Sequence, residues 1–171
     1  MLERKDQLIT QRLTLKSIEE KDRKDLLEIV KSPLVKKGYM IPDFNSEEEE
    51  EKFFQKLRDF SRKKERFVFG IYSKNKFIGF LNDVTSEKDM IEVGYFISPK
   101  EWNKGYATEA LKAAINELFR IGFKYVQAGH FEENHASGRV MQKAGMKLID
   151  KEEVIEYRNA KHRCLYYQIE R

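Results

Sequence analysis

Cysteine is nearly absent: the chain of 171 residues has one, Cys164. A lone thiol closes no disulfide within the chain and cannot by itself hold a structural metal, so neither a secreted disulfide scaffold nor a zinc module is expected. Proline and glycine are sparse too, at 3 and 9 residues, which excludes collagen-like, linker-like and proline-rich disordered compositions. No uncharged apolar run approaches the ~20 residues that span a bilayer, and the first ten residues carry charges where a signal peptide needs an apolar stretch. A cytoplasmic protein without a membrane partner is expected. Nor does one sign of charge dominate: 33 basic against 29 acidic residues leave a net charge of +4, spread along the chain. The tightest basic cluster, Arg62-Lys63-Lys64 with Arg66, falls where a helix should end. Basic side chains there complement the helix dipole, so a solvated helix end is preferred to a nucleic-acid surface.

What is present is a foldable composition, 40% hydrophobic and 36% charged, of a length that suits one domain over residues 1–171. Residues 10–16 alternate as a half-buried strand, and residues 19–31 carry a helical apolar stripe closed by Ser32-Pro33. Residues 39–44 mix apolar side chains with turn formers and read as a loop. Ser46 and Glu49 form a capping box for a second helix over residues 47–62, striped by Phe53, Phe54, Leu57 and Phe60. Residues 67–72, 76–84 and 91–97 read as an antiparallel meander. A helix follows from Tyr106 to Gly122, then a strand over 124–131, a helix over 136–143 and closing strands over 146–156 and 163–169. The fold class is α+β, a mixed sheet of about seven strands with about four helices.

The segment Ile97-Ser98-Pro99-Lys100-Glu101-Trp102-Asn103-Lys104-Gly105-Tyr106-Ala107 runs from a strand through a short turn into a helix. The first-turn N–H groups of a helix lack intrahelical partners and stand at the positive end of its dipole, so such a junction can hold a phosphate by backbone alone. Gly105 lets a pyrophosphate approach the main chain, Ala107 adds no bulk, and Asn103 tolerates a left-handed backbone. The spacing is neither the dinucleotide fingerprint nor the Walker loop, and by itself it is equally an ordinary helix start.

The run from Trp102 to Ala110 resembles the Gln/Arg-x-x-Gly-x-Gly/Ala pyrophosphate loop of the GNAT family of N-acetyltransferases. Asn134-His135-Ala136-Ser137-Gly138-Arg139-Val140-Met141-Gln142-Lys143-Ala144-Gly145-Met146 resembles the family's Asn-x-x-Ser-x-x-Val-x-x-Lys-x-Gly-Phe. Thr10-Gln11-Arg12-Leu13-Thr14-Leu15 and Glu92-Val93-Gly94-Tyr95-Phe96-Ile97 are similar to the RimJ/RimL-like branch, which acetylates N-terminal amines of ribosomal proteins. The resemblance implies a single GNAT-type domain with acetyl-CoA as cosubstrate; no metal is expected, because no pair among His130, His135 and His162 has metal-ligand spacing. It also implies two splayed parallel strands, with the pantetheine arm held as a peptide is held on a sheet edge. On this chain the arm would meet the backbone of Phe96, Ile97 and Ser98. The pyrophosphate would meet Trp102, Asn103, Lys104, Gly105, Tyr106 and Ala107, the Trp102 side chain mattering little. Asn134 either bonds the arm from the other side or caps the helix it precedes.

Acetyl transfer needs a neutral amine, a polarised thioester carbonyl and a proton for the leaving thiolate. A lysine amine has a pKa of ~10.4 and an α-amine ~8, so an N-terminus gives up its proton at less cost. Glu92, on the strand face opposite Ile91, Val93 and Ile97, is the candidate base, or else a plain surface carboxylate. Many family members donate the proton from a Tyr seven residues after the Asn, but Met141 stands there. Ser137 is the candidate donor, or else a first-turn residue. The acceptor is expected to be a primary amine on a protein or peptide N-terminus. A small-molecule amine, polyamine or aminoglycoside, is the alternative, and a silent acetyl-CoA-binding module is the rival to an enzyme. The loop of residues 39–44 is expected to wall the acceptor cleft, to tuck onto the core, or to join two copies in a homodimer.

Overall fold

The computed structural model describes residues 3–171. Eight strands form one sheet in the order β1-β2-β3-β4-β5-β6-β8-β7. They are β1 (Leu8–Ile9), β2 (Leu13–Lys16), β3 (Phe69–Ser73), β4 (Lys76–Ser86), β5 (Met90–Ile97), β6 (Tyr125–Phe131), β7 (Lys147–Tyr157) and β8 (Ala160–Glu170). The helices are α1 (Arg23–Lys31), α2 (Pro33–Lys36), α3 (Glu47–Arg62), α4 (Tyr106–Arg120) and α5 (His135–Lys143). Every neighbouring pair is antiparallel except β5 with β6.

The alternation of residues 10–16 hides a reversal. Leu8 pairs with Leu15 and Ile9 with Thr14, so the strand expected there is a hairpin. No glycine or proline marks its turn. The Thr10 hydroxyl does the work by accepting the Leu13 N–H at 2.9 Å, a side-chain substitute for turn chemistry. The first helix begins as a 3-10 turn at Glu20–Asp22 and ends at Ser32, as expected before a proline. Pro33 then opens α2, because its missing N–H costs nothing at a helix start. The capping box of α3 is half made. Ser46 Oγ accepts the Glu49 N–H at 3.2 Å, but the Glu49 carboxylate reaches the N–H of Asn45 at 2.7 Å.

The last strand, β8, runs longer than expected, while β7 keeps its expected length one residue further on. Arg158 and Asn159 take φ of 53° and 58°, closing a two-residue hairpin turn, so β8 already begins at Ala160. Helices α4 and α5 pack one face of the sheet over Leu13, Leu15, Ile91, Val93, Val126 and Ala128. The other face carries α1, α2 and α3 through Leu26, Val30, Val35 and Phe54 against Phe77, Phe80 and Phe96. A smaller cluster of Phe131, Cys164 and Tyr166 sits under the β7–β8 hairpin.

Candidate active site

The parallel ladder is short. Met90, Ile91 and Glu92 pair with Tyr125, Val126 and Gln127, and beyond Glu92 the two strands separate. Which backbone groups face the gap follows from the other edge of β5. Ser98 donates its N–H to Ile78 at 2.7 Å, and the β4–β5 register sets Ile97 opposite Gly79 and Phe96 opposite Phe80. Hydrogen bonding alternates along an antiparallel strand, so Ser98 and Phe96 turn their backbone groups to β4, and those of Tyr95 and Ile97 face the gap. This corrects the expectation for Phe96 and Ser98. Ser98 also lies outside the strand, at the start of a 3-10 turn over Pro99–Glu101.

The loop after that turn is left-handed twice, at Asn103 (φ 61°) and Gly105 (φ 81°), and Tyr106 then begins α4. The Trp102 indole N–H donates to the Ile97 carbonyl at 2.7 Å, tying the loop to the strand end. Arg12 braces it from outside. One guanidinium nitrogen donates to the Lys104 carbonyl at 2.8 Å and Nε to Glu109 Oε2 at 2.7 Å, while Glu109 Oε1 accepts the Arg12 N–H at 2.8 Å and the Thr10 hydroxyl at 2.6 Å. Burial alone would raise the Glu109 carboxyl. Those hydrogen bonds, Thr10 first, outweigh it and hold the group below the usual carboxylate range.

Across the gap Asn134 caps α5: its Oδ1 accepts the Ser137 N–H at 3.3 Å, and its Nδ2 donates to Ser137 Oγ at 3.1 Å. The cap reading of Asn134 is therefore realised. Since Ser137 Oγ accepts from Asn134, its own proton is free to point elsewhere. Gly38 packs on the same amide so closely that a Cβ there would lie 2.3 Å from Nδ2. Tyr95 crosses from β5 to donate its hydroxyl to the Ser137 carbonyl at 3.2 Å. Met141 is buried in the core under α5.

These parts enclose a cleft of about 480 Å³. Among the residues expected from the sequence, Phe96, Ile97, Trp102, Asn103, Gly105, Tyr106, Ala107, Asn134 and Ser137 line it. Ser98, Lys104 and Glu92 are not in its lining; the Lys104 ammonium turns to Glu101 at 2.6 Å. Sequence reasoning placed Tyr39 here only as part of the loop of residues 39–44, and it missed Tyr95, Arg139 and Lys143, which also line the cleft. The last two were legible as an i, i+4 pair on one face of α5.

Glu92 occupies the opposite sheet face at the root of the splay, level with Gln127. Burial raises its carboxyl, Lys151 pulls against that and Glu153 adds to it. The Lys151 ammonium lies 4.0 Å over the Tyr166 ring, and the Tyr166 hydroxyl donates to Glu153 at 3.1 Å. Two glycines on this face flank the gap. A Cβ on Gly94 would meet the Tyr39 hydroxyl at 3.2 Å, and one on Gly129 would meet the Tyr166 ring at 2.9 Å. The loop of residues 39–44 divides its roles: Tyr39 lines the cleft, its ring 5.0 Å from that of Phe96, whereas Ile41 is buried and Phe44 lies against Phe53. Tyr167 packs into the α4–α5 core while Tyr166 turns to the other face. Among the described residues no three His, Cys, Asp or Glu side chains gather as a metal would require, and no helix is long and apolar enough to cross a membrane.

The family model described as an acetyltransferase (GNAT) domain matches residues 12–147. The uncharacterized N-acetyltransferase p20 of Bacillus licheniformis is 27% identical over 164 residues, 92% of this chain and 90% of that protein. Among solved structures, a GNAT-family acetyltransferase from Bacillus anthracis superposes with a TM-score of 0.82 at 26% identity, covering 96% of this chain and 98% of that one. A RimL ribosomal-protein alpha-N-acetyltransferase in complex with coenzyme A superposes with a TM-score of 0.83 at 19% identity, over 95% and 96%.

Proposed function

The chain belongs to the GNAT acetyltransferase family and is an acyltransferase, and from that premise we propose that it moves the acetyl group of acetyl-CoA onto the α-amine of a protein or peptide N-terminus. The observation that carries the reading is the pairing of a splayed strand edge with a glycine-bearing helix start in one cleft. A chain with a phosphate at one end and polar amides along its length suits that cleft. The N–H groups at the head of α4 serve the pyrophosphate, Arg139 and Lys143 add positive charge, and the backbone of Tyr95 and Ile97 pairs with the arm. Acetyl-CoA supplies the activated thioester.

The protein's own residues do the rest. Glu92, lifted by burial, accepts a proton from the incoming ammonium directly or through a water, leaving a neutral nucleophile. A gap-facing N–H of Tyr95 or Ile97 polarises the carbonyl, and Ser137 turns its free hydroxyl proton to the departing sulfur. A thiolate is a good leaving group, so one hydrogen bond suffices where other members have a tyrosine. The likeness to RimL supports an N-terminal acceptor.

Two measurements test the reading. Calorimetry with acetyl-CoA should give saturable binding. A thiol-release assay over N-terminal peptides, polyamines and aminoglycosides should show turnover on peptides, with the product blocked at its α-amine. Turnover only on polyamines or aminoglycosides would overturn the acceptor assignment, and no binding at millimolar acetyl-CoA would overturn the donor.

A further inference from the structure

A second cavity, of about 320 Å³, lies between α2 and the tip of the β7–β8 hairpin, lined by Lys31, Pro33, Lys36, Lys37, Asp43 and Arg158. Four of these side chains are cations and one is an anion. Asp43 Oδ1 accepts from Lys36 Nζ and from Arg158 Nη2, each at 2.6 Å, so it orients two of the cations without neutralising the set. Arg158 and Lys36 in turn hold its carboxyl down at about 2, so it stays ionised. Lys31 pairs with Glu50 at 3.0 Å. Lys37 joins no ion pair among the described residues, and it lines this cavity and the main cleft alike.

Arg158 is an odd choice for its place. A two-residue hairpin turn with both φ positive favours Asn-Gly, and a long side chain there strains the backbone. Yet its guanidinium is held firmly, donating from Nε to the Tyr157 hydroxyl at 3.0 Å and lying 5.3 Å from that ring. The Lys36 side chain is only 13% exposed, so its stem is held against the protein while its ammonium meets Asp43. The cavity also adjoins the main cleft, Lys37 standing in both linings. The Tyr157 hydroxyl lies 3.3 Å from the carbonyls of Tyr39 and Ile41, joining the hairpin to the loop that enters the cleft.

Resting on the N-terminal acceptor reading above, we infer that this cavity takes the carboxylates of an acidic peptide, so that the preferred acceptor is an N-terminus followed within a few residues by Asp or Glu. The cations attract that segment and repel polyamines and basic peptides.

The test is a peptide series of one length and one N-terminal residue, its next three positions acidic, amide or basic. The acidic member should exceed the basic one at least ~10-fold in kcat/KM, mostly through KM, and the ratio should shrink as salt screens the field. Lys37→Glu and, separately, Lys31→Glu should lower that ratio; a ratio taken within one variant cancels any change in acetyl-CoA binding. Peptides acetylated alike, or ratios unchanged in both variants, would overturn this inference while leaving N-terminal acetylation standing. Turnover on none of the peptides would overturn both.

Discussion

Arg12 and Glu109 stand 97 positions apart in the sequence, yet Nε of the one donates to Oε2 of the other at 2.7 Å, and the Arg12 N–H reaches Oε1 at 2.8 Å. The contact joins the first hairpin's turn to the first turn of α4. Because the same guanidinium holds the Lys104 carbonyl, the loop ahead of α4 is braced from outside the cleft.

That brace makes stability depend on pH in a predictable direction. Glu109 is held below its ordinary value, so its contribution is full above the unfolded value of about 4.3 and is lost as pH falls through the lower folded one. Glu109→Gln should lower the melting temperature at neutral pH, by a loss of about 1 kcal/mol because Arg12 is partly exposed, and should flatten the curve below pH ~4.5. Thermal scans of both proteins from pH 3 to 7 check this. Curves that stay parallel would remove Glu109 from the brace.

At Gly105 two effects separate. Gly105→Ala forces a side chain onto a φ of 81°, a strain of ~1–2 kcal/mol, and brings a Cβ within 3.2 Å of Arg12 Nη2, an end that can move. It should weaken acetyl-CoA binding modestly. Gly105→Glu adds a carboxylate where a pyrophosphate would lie and should abolish binding while the fold persists. Unchanged calorimetric affinity in Gly105→Glu would sink the assignment of the loop.

For the leaving thiolate, Ser137→Ala should lower kcat up to ~10-fold with little change in KM for acetyl-CoA, whereas Asn134→Ala should also cost about 1 kcal/mol of stability through the lost cap. Met141→Tyr should not restore the family's tyrosine. Met141 is buried beneath α5, and enlarging a packed core residue costs ~1–3 kcal/mol. A faster Met141→Tyr enzyme, or a Ser137→Ala enzyme with unchanged kcat, would show that the proton comes from elsewhere.

Much of this architecture was legible because period and punctuation agree. The stripe of α4, the stop at Gly122, the cap at Asn134 and the left-handed Asn103 all follow from local chemistry. What escaped depended on partners distant in sequence. The Thr10 hydroxyl that caps the turn is also held by Glu109, and no alternation can reveal that. Tyr95 reads as a strand residue until α5 is brought within reach of its hydroxyl. Phe96 against Tyr95 and Ile97 is a question of hydrogen-bond parity, which register decides and composition does not. The cationic cavity unites Lys36 with Arg158, which only the packed loop and hairpin bring together.

Glu92 carries opposite consequences for stability and for rate. Burial raises its carboxyl, so its burden on the fold is absent below the ordinary value of about 4.3, where both states are protonated, and grows as pH rises through the raised one. Glu92→Gln should therefore be more stable than the parent at pH 7 and no different at pH 3. If the same carboxylate takes the amine's proton, the variant should lose kcat at neutral pH, on the order of 10²-fold for a general base, with a smaller change in KM. That loss should shrink as pH approaches the acceptor's own value, ~8 for an α-amine, where solution supplies the neutral form. Stability and kcat measured over one pH range separate the cases. A stabilised variant that keeps its kcat throughout would make Glu92 a buried charge of no catalytic use and leave water alone to accept the proton.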